Sequence, residues 1–561
     1  MAATTSANPL IVQGDHTILV EVASPRYAEA RDRLVGFAEL VKSPEHIHTY
    51  RITPLSIWNA CAAGVRAESI VEALREFAKY PVPEHVTVQI RDYGSRYGRL
   101  RLARDAEGLL FTAADAALAE EVSRRREVAP FLGERLSALT FRVGPADRGR
   151  LKQALVKIGF PAEDLAGYTE GDALPLALRE TTRRGTPFAL RHYQQEAARA
   201  FHADGSDRGG SGVIVLPCGA GKTIVGIGCM SAVQASTLVL TTGVTASRQW
   251  RDELLDKTSL HEDQIGEYSG VSKDIRPVTI ATYNILTWRP SMTAEFAHLE
   301  LFDQRNWGLI IYDEVHLLPA PVFQVTATLQ ARRRLGLTAT LVREDGREED
   351  VFALIGPKKA DVPWKVLEGE GWIAKAVCTE VRLPLPAELR LPYAVSDARQ
   401  KFRVASENPA KTALVERLLA LHPDEPTLII GMYVDQVNEI ASRLGVPSLT
   451  GTTAQRQRDK LFDGFKAGRI PVMAVSKVAN FAVDLPDAAV AIQISGTFGS
   501  RQEEAQRLGR ILRPKPGRNQ AHFYTLVSRD TVEQEFALRR QLFLCEQGYS
   551  YQIRDGEEFR G

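Results

Sequence analysis

From residue 185 onward the chain repeats one pattern: short runs rich in Val, Ile and Leu and free of charge, separated by longer segments whose apolar positions recur at helical spacing. The runs fall at 213–216, 237–240, 278–281, 309–312 and 335–337. A strand that is apolar at every position, not at every second one, is buried on both faces, so this pattern predicts a parallel sheet covered on both sides by helices. The alternation restarts at 427–430, 472–475 and 489–494, which predicts a second sheet of the same kind, joined to the first near residues 363–375. Upstream the pattern is smaller in scale. Residues 10–22 alternate as strands do, and residues 28–80 read as amphipathic helices with caps at Ser43 and Thr53. Residues 136–143 read as a strand and 151–158 as a helix. The expected fold class is α/β: two tandem parallel-sheet lobes, 185–368 and 369–561, preceded by small α/β domains at 1–127 and 128–184.

A chain of 561 residues is too long for one core, in keeping with several domains. Its apolar share of 44% and charged share of 25% are those of a folded globular protein. The formal net charge is only +1, so a surface for a polyanion has to come from local segregation of charge. The five cysteines include no CxxC pair, which leaves no cysteine-based zinc or iron–sulfur site. With no apolar run long enough to span a bilayer and no leader pattern, the expectation is a cytoplasmic protein without a membrane partner. The stretch Arg91–Arg101 interleaves basic and aromatic side chains; it reads as a solvated hairpin, and the alternative is stacking on a nucleic-acid strand. The triplet Arg124-Arg125-Arg126 reads as a solvated helix face.

The chemistry begins where the first buried run ends. Leu216-Pro-Cys-Gly-Ala-Gly-Lys-Thr223 turns a strand through glycines into a helix. Backbone N–H groups of Gly219, Ala220 and Gly221 are placed to converge on phosphate oxygens, Lys222 to reach the terminal phosphates, and Thr223 to ligate Mg²⁺. Leu216 stands where the strict motif has a glycine. Roughly ninety residues on, the run 309–312 delivers Asp313 and Glu314 to the C-terminal end of a buried strand, where open α/β sheets bind ligands. There Asp313 suits Mg²⁺ held through water, and Glu314 suits a base for the water that attacks a γ-phosphate. In the second lobe Gln506, Arg510 and Arg513 recur at helical spacing, and the arginines are candidate fingers across a cleft.

These motifs, in this order, resemble superfamily 2 helicases, whose lobes are RecA-like. Leu190–Gln195 resembles the adenine-contacting motif, with Arg191 and Gln194 at the matching positions. Thr338-Ala339-Thr340 matches the motif that couples hydrolysis to lobe movement, while 237–250 and 281–284 resemble strand-contacting motifs. By the same resemblance Asp484 approaches the ribose. Within the superfamily the chain is most similar to the XPB-like DNA repair helicases, because Arg343-Glu344-Asp345 carries that family's charged signature and 8–13, 50–56 and 80–83 resemble its N-terminal domain. Ala479-Asn480 stands where that family usually has Gly-Asp. The resemblance implies a damage-recognition-like module at 128–184 and a short thumb, for which 390–403 is the candidate. It further implies an ATP- and Mg²⁺-dependent 3′–5′ DNA helicase acting as a monomer at single-strand/duplex junctions, with a nuclease or other repair proteins as companions. The alternatives are a duplex DNA translocase that separates few strands, or a damage-binding scaffold switched by ATP; intact Lys222, Glu314, Arg510 and Arg513 speak against a mere switch.

Overall fold

The computed structural model describes residues 8–34, 36–42, 46–183, 185–206, 208–217, 219–291, 296–329, 332–339, 348–362, 367, 370–372, 374–476, 488–496, 520–546 and 550–559. The chain divides into two compact units, with the change from the first to the second after Val362.

The first unit holds a seven-stranded sheet in the order Ile265–Tyr268, Val278–Thr282, Thr237–Thr241, Leu309–Asp313, Arg333–Thr338, Ser211–Val215 and Lys358–Asp361. Every pairing in it is parallel. All five residues of Ser211–Val215, Thr237–Thr241 and Val278–Thr282 are buried, which is why these strands carry no charged residue and their aliphatic positions are interrupted only by Ser, Gly or Thr. Parallel strands need crossover connections, and helices such as Lys222–Val233 and Val244–Lys257 supply them.

The second unit repeats the plan, in the order Ser448–Leu449, Val472–Ser476, Thr427–Gly431, Val490–Gln493, Gln520–Ser528, Lys375–Leu383 and Ser550–Asp555, again all parallel. Its core is knotted by one buried ion pair: Lys411 Nζ lies 2.9 Å from Glu533 Oε2, with both side chains excluded from solvent. The remaining valences are satisfied. Lys411 also donates to the Ile494 carbonyl, and Glu533 accepts from Ser406 Oγ and from the Ser528 N–H. Removing one partner of such a pair strands the other's charge, so Glu533→Ala is expected to destabilise this lobe by about 3–5 kcal/mol, measured by chemical denaturation.

Upstream of the first lobe lie two smaller sheets. One is four-stranded and opens with the antiparallel hairpin of Leu10–Val12 and Thr17–Glu21. The expected cap at Thr53 is present: its hydroxyl accepts from the Ser56 N–H while Ser56 Oγ accepts from the Thr53 N–H, opening the helix Pro54–Ala62. Ser43 lies outside the described residues. The hairpin expected around Arg91–Arg101 is instead mostly helix, Glu84–Arg96. Val86, Val88 and Ile90 alternate along the sequence, yet Val86 and Ile90 are fully buried while Val88 is 54% exposed, the mark of a helical face. Gly94 permits the close approach of this helix to Ala67, whose Cβ would stand 2.7 Å from a Cβ at that position. The basic residues there are paired, Arg91 with Glu68 and Arg96 with Asp92. Arg124 and Arg125 follow the helix Ala116–Ser123 and pair back to Glu120 and Glu121 on its surface, as a solvated face does.

The second small sheet has the order Thr140–Val143, Gly108–Ala113, Leu100–Asp105 and Ala162–Asp164. The expected boundary between residues 127 and 128 runs through it, because strands before and after that point pair with one another. The strand expected over 136–143 is confined to Thr140–Val143. We propose that the division between the small domains falls just before Leu100.

This second small domain packs tightly on the first lobe. Its helix Arg148–Lys157 lies against the helices Ala320–Thr328 and Glu348–Leu354. A Cβ at Gly149 would stand 2.3 Å from the Ala327 carbonyl oxygen, so only glycine allows that approach. Gln153 donates to Asp350, and Arg148 forks onto the Asp164 carboxylate, which Lys152 also reaches at 3.0 Å. From the other side of the junction the buried Arg334 stacks over Tyr168, which Arg148 also faces. The other small sheet's domain is anchored too: Asn59 Oδ1 accepts from the Lys358 N–H, and Trp58 joins the lobe's hydrophobic core.

Candidate functional site

In the first lobe the strands that carry the two phosphate-site motifs, Ser211–Val215 and Leu309–Asp313, flank the strand Arg333–Thr338 and end at the same edge of the sheet. Past Val215 the chain turns through Gly219 and Gly221, whose φ angles of 82° and 80° are costly for any residue with a Cβ. The helix Lys222–Val233 follows, so Lys222 and Thr223 stand in its first turn. Gly221 is tight as well as left-handed: a Cβ there would meet Gln194 Nε2 at 2.7 Å. Gln194 is buried, and its side-chain Oε1 accepts from the Arg191 N–H, while Arg191 Nη1 reaches Tyr193 Oη at 3.1 Å. The residues expected to read a nucleobase thus abut the phosphate loop.

At the end of Leu309–Asp313 the backbone reverses abruptly. Glu314 has φ 49° and ψ 55°, a left-handed conformation rare for a side chain of this kind. Strain of this sort persists where the surroundings demand it. Here the turn sets Glu314 Oε1 3.1 Å from Lys222 Nζ, joining the two motifs directly. Asp313 is held differently: its Oδ2 accepts a hydrogen bond of 3.0 Å from Trp250 Nε1, its Oδ1 accepts from the Glu314 N–H, and its carbonyl accepts from Tyr283 Oη.

These surroundings push the two carboxyls apart. Burial, and then the charge of Glu314, raise the Asp313 carboxyl above the ordinary carboxylate range, against the Trp250 hydrogen bond and Lys222. Burial also acts to raise Glu314, but Lys222 and then His316 outweigh it and hold Glu314 below its ordinary value. An acid whose ionised form is penalised by a neighbouring anion favours an added cation, and a carboxylate and the Thr223 hydroxyl are hard oxygen donors of the kind that Mg²⁺ takes.

Thr338 couples these parts. Its carbonyl accepts from the Leu216 N–H at the entry to the phosphate loop, and its hydroxyl lies 2.7 Å from His316 Nδ1, two residues beyond Glu314. The expectation that the segment 237–250 contacts a strand is corrected at its end: Trp250 is fully buried, its ring lies against Gly226, and its indole N–H serves Asp313. Trp250→Phe keeps an aromatic ring in the core, at the cost of a small cavity beside Gly226, and removes that donor. Since a hydrogen bond to a charged group is worth ~1.5–3 kcal/mol, the Mg²⁺ concentration for half-maximal ATP turnover should rise by at least roughly tenfold. A magnesium titration of ATPase activity measures it. Gln506, Arg510, Arg513, Asp484, Arg343, Glu344, Asp345 and Thr340 lie outside the described residues.

A model for the ERCC3/RAD25/XPB C-terminal helicase matches residues 367–558, one for the type III restriction enzyme res subunit matches 187–343, and one described as a helicase conserved C-terminal domain matches 10–137. The chain is 55% identical to a DNA 3′–5′ helicase XPB of Kineococcus radiotolerans, covering 99% of this chain and 97% of that one. This chain belongs to the XPB helicase family. It is likewise 54% identical to the DNA 3′–5′ helicase XPB of Mycobacterium tuberculosis, with 99% of each chain covered. A more distant XPB, a helicase/translocase subunit of general transcription and DNA repair factor IIH from Antonospora locustae, is 35% identical over 97% of this chain and 81% of its own. The expected XPB resemblance and the two-lobed α/β fold are thereby met. Among the described residues no helix is long and apolar enough to cross a membrane.

Proposed function

We propose that this XPB-family chain is an ATP-dependent 3′–5′ DNA helicase that couples ATP hydrolysis to strand separation in DNA repair. The observation that carries the reading is the direct contact of Lys222 with Glu314, which joins a phosphate loop to a base at one sheet edge. Lys222 neutralises phosphate charge, the loop's N–H groups orient the phosphates, and Glu314 takes the proton of the attacking water. Mg²⁺, when bound, neutralises charge developing between the β- and γ-phosphates, with Thr223 and Asp313 as its holders. Arg191 and Gln194 serve the base and Asp484 the ribose. Gln506, Arg510 and Arg513 complete the site from the second lobe, and Thr338 with Thr340 passes its state to the DNA-binding surfaces. The substrate is a junction of single-stranded and duplex DNA, the companions are a nuclease or other repair proteins, and the working unit is a monomer.

Arg343, Glu344 and Asp345 act in this reading as part of a wedge at the fork. Replacing all three with alanine should leave DNA-stimulated ATP hydrolysis largely intact while strand separation falls. Both activities are measured in parallel on a forked duplex with a 3′ tail and on one with a 5′ tail. Equal loss of both activities places the tripeptide in the coupling machinery, and unwinding from the 5′ tail alone overturns the polarity.

A further inference from the structure

At the N-terminal edge of the second lobe's sheet, the edge opposite to that where parallel strands end, three potential metal ligands converge. His422 follows the helix Ala410–Leu421, Glu425 precedes the strand Thr427–Gly431, and His522 stands near the start of Gln520–Ser528. One ligand atom from each can be chosen so that all three lie within 4.8 Å of one another. The pair His422 Nδ1 and Glu425 Oε2 is 3.4 Å apart, and the two imidazoles have centroids 4.7 Å apart. Zinc bonds of about 2.0–2.1 Å at the tetrahedral angle put neighbouring ligand atoms about 3.3–3.4 Å apart, so one edge of such a site is already formed.

The far side of His422 is arranged as a metal-binding histidine requires. Its Nε2 lies 2.9 Å from Tyr524 Oη, a partner that fixes the ring's orientation and can accept the Nε2 hydrogen. With that hydrogen in place, Nδ1 turns a lone pair toward the Glu425 carboxylate, an opposition that a cation resolves. Tyr524 is on the same face of its strand as His522, two residues away, and the two rings are stacked nearly parallel. The backbone is pinned as well: the Glu425 N–H donates to the His422 carbonyl, Thr427 Oγ1 donates to the Glu425 carbonyl, and the His522 N–H donates to the Ala489 carbonyl. The nearby cation Arg554 is engaged by Glu558 at 2.8 Å.

We infer that His422, Glu425 and His522 form a site for a divalent transition metal of the zinc class, with a fourth position left to water. Two imidazoles and one carboxylate make a borderline-soft donor set, suited to Zn²⁺ or Co²⁺ and poorly suited to Mg²⁺. The ion would brace the turn between the helix and the central strand against the neighbouring strand Gln520–Ser528.

The test uses the full chain without an affinity tag, stripped with a chelator and titrated calorimetrically with Zn²⁺ and, separately, with Co²⁺ while visible absorption is recorded. The expected result is one tight equivalent of zinc per chain and a cobalt spectrum of tetrahedral intensity. His522→Ala should lose that equivalent, and Tyr524→Phe, which keeps all three ligands, should weaken it by roughly 10–100-fold. Thermal midpoints in chelator should match the parent chain, whereas added zinc should raise the parent's midpoint and not that of His522→Ala. If His522→Ala fails to fold, the half-exposed Glu425→Gln takes its place. Absence of tight zinc in the parent chain, or zinc binding unchanged by both ligand substitutions, would overturn the assignment in favour of a plain His422–Glu425 ion pair.

Discussion

Glu314→Gln is expected to bind ATP with nearly the affinity of the parent chain and to lose turnover by a factor on the order of 10² to 10⁴, the scale of general-base catalysis. Glutamine keeps the volume and one hydrogen-bonding oxygen toward Lys222, so the phosphate loop retains its neighbour and only proton acceptance is lost. The backbone adds a second reading of the same position. Because Glu314 sits in the left-handed region, Glu314→Gly relieves strain while also removing the base. A glycine variant that is more stable than the parent chain yet inactive would show that the strain is retained for chemistry. Single-turnover hydrolysis beside equilibrium nucleotide binding separates the two effects, and full turnover in a folded Glu314→Gln protein would falsify the assignment.

A second large loss is expected for Arg510→Ala. A guanidinium set against the γ-phosphate contributes about 10³ to 10⁵ in rate in phosphoryl transfer, so DNA-stimulated turnover should fall by roughly 10³-fold with little change in nucleotide affinity. Arg510→Lys tests the geometry of the fork: a lysine restores charge without the planar donors and should recover little. If the finger comes from the second lobe, a fragment of residues 185–368 should bind ATP and hydrolyse almost none. Substantial hydrolysis by that fragment would place the complete catalytic set in the first lobe.

What the sequence made legible, and what it did not, divides along a physical line. The strands before Lys222 and Asp313 are buried on both faces, so each is written as an unbroken aliphatic run, and the glycines and acids that follow mark where each strand stops. Such information is local. Trp250 shows the other kind: a tryptophan near the start of a crossover looks the same whether it faces solvent, DNA or a carboxylate, and only packing against Gly226 directs its N–H to Asp313. The left-handed turn at Glu314 is hidden for a similar reason, since an Asp-Glu pair carries no glycine to announce it. The helix Glu84–Arg96 was obscured because valines and isoleucine two apart satisfy either period until a neighbour chooses one face. The boundary expected at 127/128 cuts through a sheet because strand pairing joins Leu109 to Val143 and Thr112 to Thr140, and composition does not register it.

The seam between the second small domain and the first lobe has a mechanical consequence. A glycine pressed on a neighbouring backbone, a hydrogen bond from Gln153 to Asp350, and Arg334 stacked over Tyr168 leave little room for sliding. Arg334 belongs to the strand that ends at Thr338, so the weld and the residue proposed to couple hydrolysis to movement are borne on one rigid rod. The small domain is therefore cargo of the first lobe. Any movement of that lobe must carry the small domain with it, and a load applied to the small domain is felt at the strand that ends beside the phosphate loop.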